Sequence, residues 1–196
     1  MNNLIETTFD FKGAKYKVAS LELGDHPSFH GFNFDEISIR DQLWDIKSGD
    51  YVLDVGACYG SYTLTALAAG ASKVYAWSPQ SHGLLSDKEV LEQSLILNGW
   101  EDKCVVYDNG VYYKSGWLDC FEQRFFDHEP QNYVKNTITN VISDIIKVDT
   151  LNNWYEQEFL PNVKNHINNK RIWIKIDVEG GRVRSFIRRF QIIKRT

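Results

Sequence analysis

The sequence predicts an α/β fold built on a doubly wound, mainly parallel sheet. Three observations carry this prediction. Apolar runs of strand length stand at residues 51–55, 73–77, 104–107 and 172–178. Helix-like stretches follow the first two, and strands alternating with helices require parallel pairing through right-handed crossovers. Between the first run and its helix stands Asp54-Val-Gly-Ala-Cys-Tyr-Gly60, a strand that turns sharply into a helix, with glycine where the chain must bend tightly.

Each element can be justified in order. Residues 7–23 alternate loosely around Phe9, Phe11, Tyr16 and Val18, with Lys12-Gly13 between them. That pattern predicts a small hairpin within an N-terminal cap spanning residues 1–34. Ile39, Leu43 and Ile46 stand at helical spacing within residues 35–46. Ser48-Gly49-Asp50 then leads into the first core strand. The helix beginning at Ser61 stops at Gly70. Ser86-Asp-Lys-Glu89 forms a capping box for a helix that ends at Asn98-Gly99. Residues 111–148 scatter aromatic residues among polar ones and yield no periodic pattern.

The last segment places Val183, Phe186, Ile187, Phe190 and Ile193 on one helical face. Its residues 181–196 hold six basic residues and no acidic one. A helix with a solvated basic face is the expectation, its apolar side open to a partner or a second copy. One domain over residues 1–196 is expected, with a core from 35 to 196. The sheet is expected to stop after its fourth core strand and the helix that follows, short of the strands that usually complete a doubly wound fold.

Composition limits the function classes. The net charge of −4 gives no overall attraction to nucleic acid or anionic membrane. No apolar run approaches the ~20 residues that span a bilayer. The opening Met1-Asn-Asn-Leu-Ile-Glu6 lacks the basic and apolar regions of a signal peptide, so a cytoplasmic location is expected. Cys58, Cys104 and Cys120 are widely spaced and form no Cys-x-x-Cys pair, so neither a disulfide framework nor a metal site is expected. His26 and His30 are four apart, but Pro27 and Gly31 place them on a loop. His82, His128 and His166 are isolated and read as surface histidines.

The turn itself narrows the ligand. A strand–glycine–helix junction at the carboxyl end of a parallel sheet binds a nucleotide-like cofactor. A dinucleotide fingerprint needs Gly-x-Gly-x-x-Gly, whereas the spacing here is Gly56-x-x-x-Gly60 with Ala57 and Cys58 between. Asp54 also precedes the turn. Both features suit S-adenosylmethionine, with its ammonium and sulfonium groups, better than a pyrophosphate.

Four motifs then resemble, in order, those of the FkbM-type methyltransferases, a family of class I S-adenosylmethionine enzymes. They are Asp54-Val-Gly-Ala-Cys-Tyr-Gly-Ser-Tyr-Thr63, Val74-Tyr-Ala-Trp-Ser-Pro79, Leu95-Ile-Leu-Asn-Gly99, and Thr150-Leu151 followed by Ile174-Lys-Ile-Asp-Val-Glu-Gly180. The resemblance spans about residues 36–181. It implies a Rossmann-like fold and O-directed methyl transfer to an acceptor. It implies that Asp54, Gly56, Ala57, Cys58 and Gly60 line the methionine and sulfonium end of the cofactor. Residue 78, at the end of the second core strand, would hold the ribose hydroxyls, and Asp177 and Glu179 would stand beside the transferred methyl group.

The sequence also departs from the family pattern. Residue 78 is Ser rather than an acid, Cys58 and Ser94 stand where Asn is usual, and Asn152 replaces an Asp. Gly181-Arg182 replaces Ala-Glu. Two rival readings therefore stay open: a truncated or degenerate relative without catalytic activity, and a Rossmann-like nucleotide-binding domain of another kind.

Overall fold

A computed structural model describes residues 4–21, 45–79, 85–119, 124–130, 145–163 and 170–177. Its centre is a four-stranded sheet. The strands β3 (Tyr51–Val55), β4 (Lys73–Trp77), β5 (Cys104–Tyr107) and β10 (Ile172–Ile176) lie in the order β10-β3-β4-β5. Every neighbouring pair in it is parallel. From β3 the chain moves outward to β4 and β5, and later returns to place β10 on the other side of β3. The order therefore reverses between β3 and β10, the doubly wound arrangement that the sequence predicts. The fourth strand is shorter than read, ending at Ile176.

The strand sequences explain how the sheet is covered. Buried on both faces, they read as continuous apolar runs. Val52, Val74, Ala76 and Cys104 pack with α1 (Ser61–Ala68) and α2 (Asp87–Asn98). The alternate residues Tyr51, Leu53, Val55, Tyr75 and Trp77 pack with Leu151, Trp154, Phe159 and Val163 on the opposite face. The capping box forms as predicted, with Ser86 Oγ accepting from the Glu89 N–H and Glu89 accepting from the Ser86 N–H. Gly99 closes the helix at φ 65°.

The N-terminal hairpin joins β1 (Leu4–Phe11) to β2 (Ala14–Leu21) in antiparallel register, slightly longer than the sequence indicates at its start. Lys12 and Gly13 both have positive φ, 52° and 87°, the geometry of a tight type I′ turn. Phe11, Tyr16 and Val18 enter the same core as α1 and α2. Two side chains of α2 tie down β2. Ser94 Oγ accepts from the Ala19 N–H at 2.9 Å, and Asn98 exchanges bonds with the Lys17 backbone at 2.8 and 2.7 Å. Residue 94 is thus a packing position.

The stretch without a pattern builds a second sheet. Its strands β6 (Gly110–Val111), β7 (Gly116–Asp119), β8 (Arg124–Phe126) and β9 (Ile145–Asp149) lie in the order β6-β9-β7-β8. From β9 the chain enters a helical run that the sequence reading lacked: α3 (Leu151–Trp154), a π-helical turn (Tyr155–Phe159) and α4 (Leu160–Val163). Thr150 caps it, its hydroxyl accepting from the Asn153 N–H at 3.1 Å. The π turn shifts the helical phase by one residue. That shift brings Phe159, five positions after Trp154, onto the buried face.

The helix expected over 35–46 lies mostly outside the described residues, and Asp45, Ile46 and Lys47 are not helical. The C-terminal helix, Glu179, Cys120, His26, His30, His82 and His166 also lie outside them. His128 is exposed. No helix among the described residues is long and apolar enough to cross a membrane. Among the same residues, no group of three or more His, Cys, Asp or Glu is placed to hold a metal ion.

Candidate functional site

The crevice of a doubly wound sheet opens at the carboxyl ends of its strands, where the strand order reverses. Here that place lies between the ends of β3 and β10, and the turn Gly56–Gly60 occupies it. The turn is shaped by three positive φ angles: 82° at Gly56, 50° at Cys58 and 87° at Gly60. Its backbone is fastened to β4, since the Gly56 and Ala57 N–H groups both donate to the Trp77 carbonyl, at 3.1 and 2.8 Å.

The predicted site residues divide by what they face. Asp54 is fully buried beneath the turn. Thr63 Oγ1 donates to its Oδ2 at 2.8 Å. Lys175 Nζ lies 3.1 Å from its Oδ1, as an ion pair rather than an aligned hydrogen bond. Register explains the pair, because Lys175 stands directly across from Asp54 on the adjoining strand. The same ammonium donates to the Gly56 carbonyl at 2.7 Å and lies 5.1 Å above the Tyr62 ring. Lys175 thereby binds the turn to β10, a role the sequence reading did not assign. The pairing depends on which strands lie side by side, which the sequence does not state.

Ala57 is buried and belongs to the core. Gly60 is demanded by packing as well as by φ, because a Cβ there would lie 2.2 Å from Leu91 Cδ1. Gly60 is the N-cap of α1 and supplies no side-chain cap, so the first amides of that helix keep their capacity to bind an anion. Gly56 and Cys58 are half-buried and form the accessible part of the turn. Burial and the neighbouring Asp87 carboxylate push the Cys58 thiol up to about 12, so it stays protonated and is a poor nucleophile at neutral pH. The positive φ at this position accounts for the Asn usual in the resembling motif, since Asn tolerates the left-handed region.

Ser78 directly follows β4, at the end of the second core strand. It is 2% exposed, and its hydroxyl donates to the Cys58 carbonyl at 2.9 Å. It therefore braces the turn. Asp177, by contrast, faces outward. Its N–H donates to the Val55 carbonyl at 2.9 Å, which sets it beside the start of the turn. Its side chain is 75% exposed and lies 4.0 Å from Lys175 Nζ.

A cavity of about 50 Å³ opens farther along the same edge, at the ends of β4 and β5. Trp77, Tyr107, Asn109, Asp149, Trp154 and Glu158 are among the residues that line it. The Tyr107 hydroxyl donates to Glu158 Oε2 at 2.6 Å and accepts from Trp154 Nε1 at 2.9 Å. Burial, and then the Glu158 carboxylate, push the pKa of that phenol well above its usual value.

No family model matches the sequence, and neither does any curated protein. Among solved structures, the crystal structure of the M. jannaschii tRNA m1G37 methyltransferase is similar over 54% of this chain, at 21% sequence identity and a TM-score of 0.37. The match covers 30% of that protein's chain.

Proposed function

We propose that this chain is an S-adenosylmethionine-dependent methyltransferase of the FkbM type, acting on a hydroxyl acceptor. One observation carries the reading: an exposed carboxylate, Asp177, stands beside a glycine turn at the reversal point of a parallel sheet. The residues present suit the cofactor. The uncapped start of α1 would take its amino-acid carboxylate, and the open backbone at Gly56 and Cys58 would lie along its methionine end.

Bound there, the cofactor supplies a methyl group already activated by the positive sulfur. The protein's part is alignment and exclusion of water. The methyl group would pass to the acceptor oxygen, the carbon–sulfur electron pair staying on sulfur. Asp177 takes the proton of the acceptor hydroxyl, with Glu179 second in line. Asp54 holds Lys175 and the turn instead of touching the ligand. A cytoplasmic site of action belongs to the same reading.

Calorimetric titration tests it. Micromolar binding of S-adenosylmethionine that vanishes in Gly56→Arg is the expected result. The absence of binding at millimolar cofactor overturns it. Ser78 favours one rival, a degenerate relative that binds the cofactor weakly and does not transfer the methyl group, because its hydroxyl is committed to Cys58.

A further inference from the structure

We infer that the outer edge of β10 is a docking surface for a second copy of this chain, the two β10 strands pairing antiparallel about a two-fold axis at Ile174. β10 ends the order β10-β3-β4-β5, so one of its edges bonds to β3 and the other to no strand among the described residues. The Arg171 carbonyl accepts from the Tyr51 N–H, and the Asp177 N–H donates to the Val55 carbonyl, both at 2.9 Å. Odd-numbered residues therefore turn their backbone groups to β3, and Ile172, Ile174 and Ile176 turn theirs to the outer edge. Ile172 and Ile174 are each 40% exposed. They stand across from Tyr51 and Leu53, on the face that Leu151, Trp154, Phe159 and Val163 cover over β3. That cover leaves the isoleucine stripe partly bare. Sheet edges are commonly guarded by charge, proline or a bulge. β10 holds one charged residue, Lys175, and its ammonium is committed to Asp54 and the Gly56 carbonyl.

This edge is complementary to itself. With Ile174 opposite its own copy, Ile172 meets Ile176, Trp173 meets Lys175 and Arg171 meets Asp177. The outward residues then all lie in hydrogen-bonded pairs, with isoleucine facing isoleucine along the seam. At both ends the opposed charges differ in sign. Other registers are worse. A slip of one residue sets outward backbone groups against inward ones and forms no ladder. A slip of two sets Lys175 against Lys175 in one direction and Arg171 against Lys175 in the other, and like charges directly opposite destabilise a pair. An isologous contact uses the same edge on both copies, so assembly closes at two. The dimer needs no ligand at the turn.

Sedimentation equilibrium of the full chain tests this. The wild type is expected to reach the mass of two chains as concentration rises through the micromolar range. Ile174→Lys places two ammonium groups opposite each other on the axis and should weaken the dimer at least about ten-fold. Residue 174 is partly exposed and packs in neither main core, so the monomer should keep its far-ultraviolet circular dichroism. Cysteine variants keep the test valid if that one fails to fold. On mild oxidation Ile174→Cys should form a disulfide dimer, since opposed residues have Cα atoms ~5.5 Å apart, within disulfide reach. Ile172→Cys should give no more than the wild-type background, its own copy lying roughly 13 Å along the seam. The amides of Ile172, Ile174 and Ile176 should gain protection from hydrogen exchange in step with the mass. A wild type that stays monomeric overturns the inference. Protected edge amides in that monomer would place residues 178–196 of the same chain on the edge, and exchanging ones would leave it bare. A dimer that survives Ile174→Lys, or that cross-links as well through residue 172 as through 174, also overturns it, by placing the interface elsewhere.

Discussion

Strands β3 and β10 carry acids and a base at each end, and the two ends are built differently. At the amino end, Asp50 accepts from Arg171 Nε and Nη2 at 3.1 and 2.6 Å, Trp173 Nε1 at 3.0 Å and the Lys47 N–H at 2.8 Å. Arg171 also donates to the Asp45 carbonyl at 2.8 Å. The Asp50 carboxylate is saturated and 4% exposed. At the carboxyl end, Lys175 satisfies Asp54 and the Gly56 carbonyl, and Asp177 stays open to solvent. The amino end is a clamp in which every group has a partner. The carboxyl end fixes the turn and leaves one acid over. On the proposed reading, that difference separates stability from chemistry along a single pair of strands.

The largest effect expected is at the buried pair. Lys175→Met leaves the fully buried Asp54 charge without a cation and is expected to cost about 3–5 kcal/mol by urea unfolding. The double variant Asp54→Leu with Lys175→Met should recover most of that loss, as apolar replacements of buried pairs often do, without restoring cofactor binding. A single variant as stable as wild type would break the contrast at its centre.

Next comes the clamp. Asp50→Asn should cost about 2–3 kcal/mol, the loss of charge-assisted bonds from Arg171, whose own side chain is partly exposed. Burial acts to raise the Asp50 carboxyl, but bonds from Arg171, Lys47 and Trp173 outweigh it, so the group sits below its ordinary value. A depressed folded value means stability that is present above the unfolded value of about 4 and fades as pH falls through the folded one. Acid unfolding curves should therefore steepen below about pH 4 in wild type and flatten in Asp50→Asn. Cofactor affinity should stay unchanged.

How much of this contrast could be read from sequence depends on the region. β3, β4 and β5, the capping box at Ser86 and the stop at Gly99 were legible because apolar runs, caps and glycines act over a few residues. The helical run over 151–163 was not, because the π turn breaks the three-and-four spacing between Trp154 and Phe159. The second sheet was hidden by strands as short as Gly110–Val111, too short to show alternation. Within the site, the turn was legible from its glycines. The direction of the Ser78 hydroxyl and the reach of Lys175 were not, since both depend on which strand lies beside which.

A smaller effect sharpens the turn. The thiols of Cys58 and Cys104, both pushed up to about 12 chiefly by burial, should resist alkylation at pH 8 in the folded chain and react on unfolding. Because these folded values lie above the unfolded ones, stability should fall between about pH 9 and 12. Rapid labelling of Cys58 in the native state would show a more open turn than the one described. The smallest stability effect belongs to Asp177→Asn. Its side chain is exposed, so the change should stay within about 0.5 kcal/mol, while methyl transfer is lost.

The most direct measurement compares the two ends in one experiment. In a ¹⁵N-labelled chain titrated with S-adenosylmethionine, amide shifts should move at Gly56, Cys58, Ser61 and Asp177, and stay fixed at Asp50, Arg171 and Trp173. Shifts at the clamp, or none anywhere at millimolar cofactor, would contradict the assignment of the carboxyl end as the cofactor site.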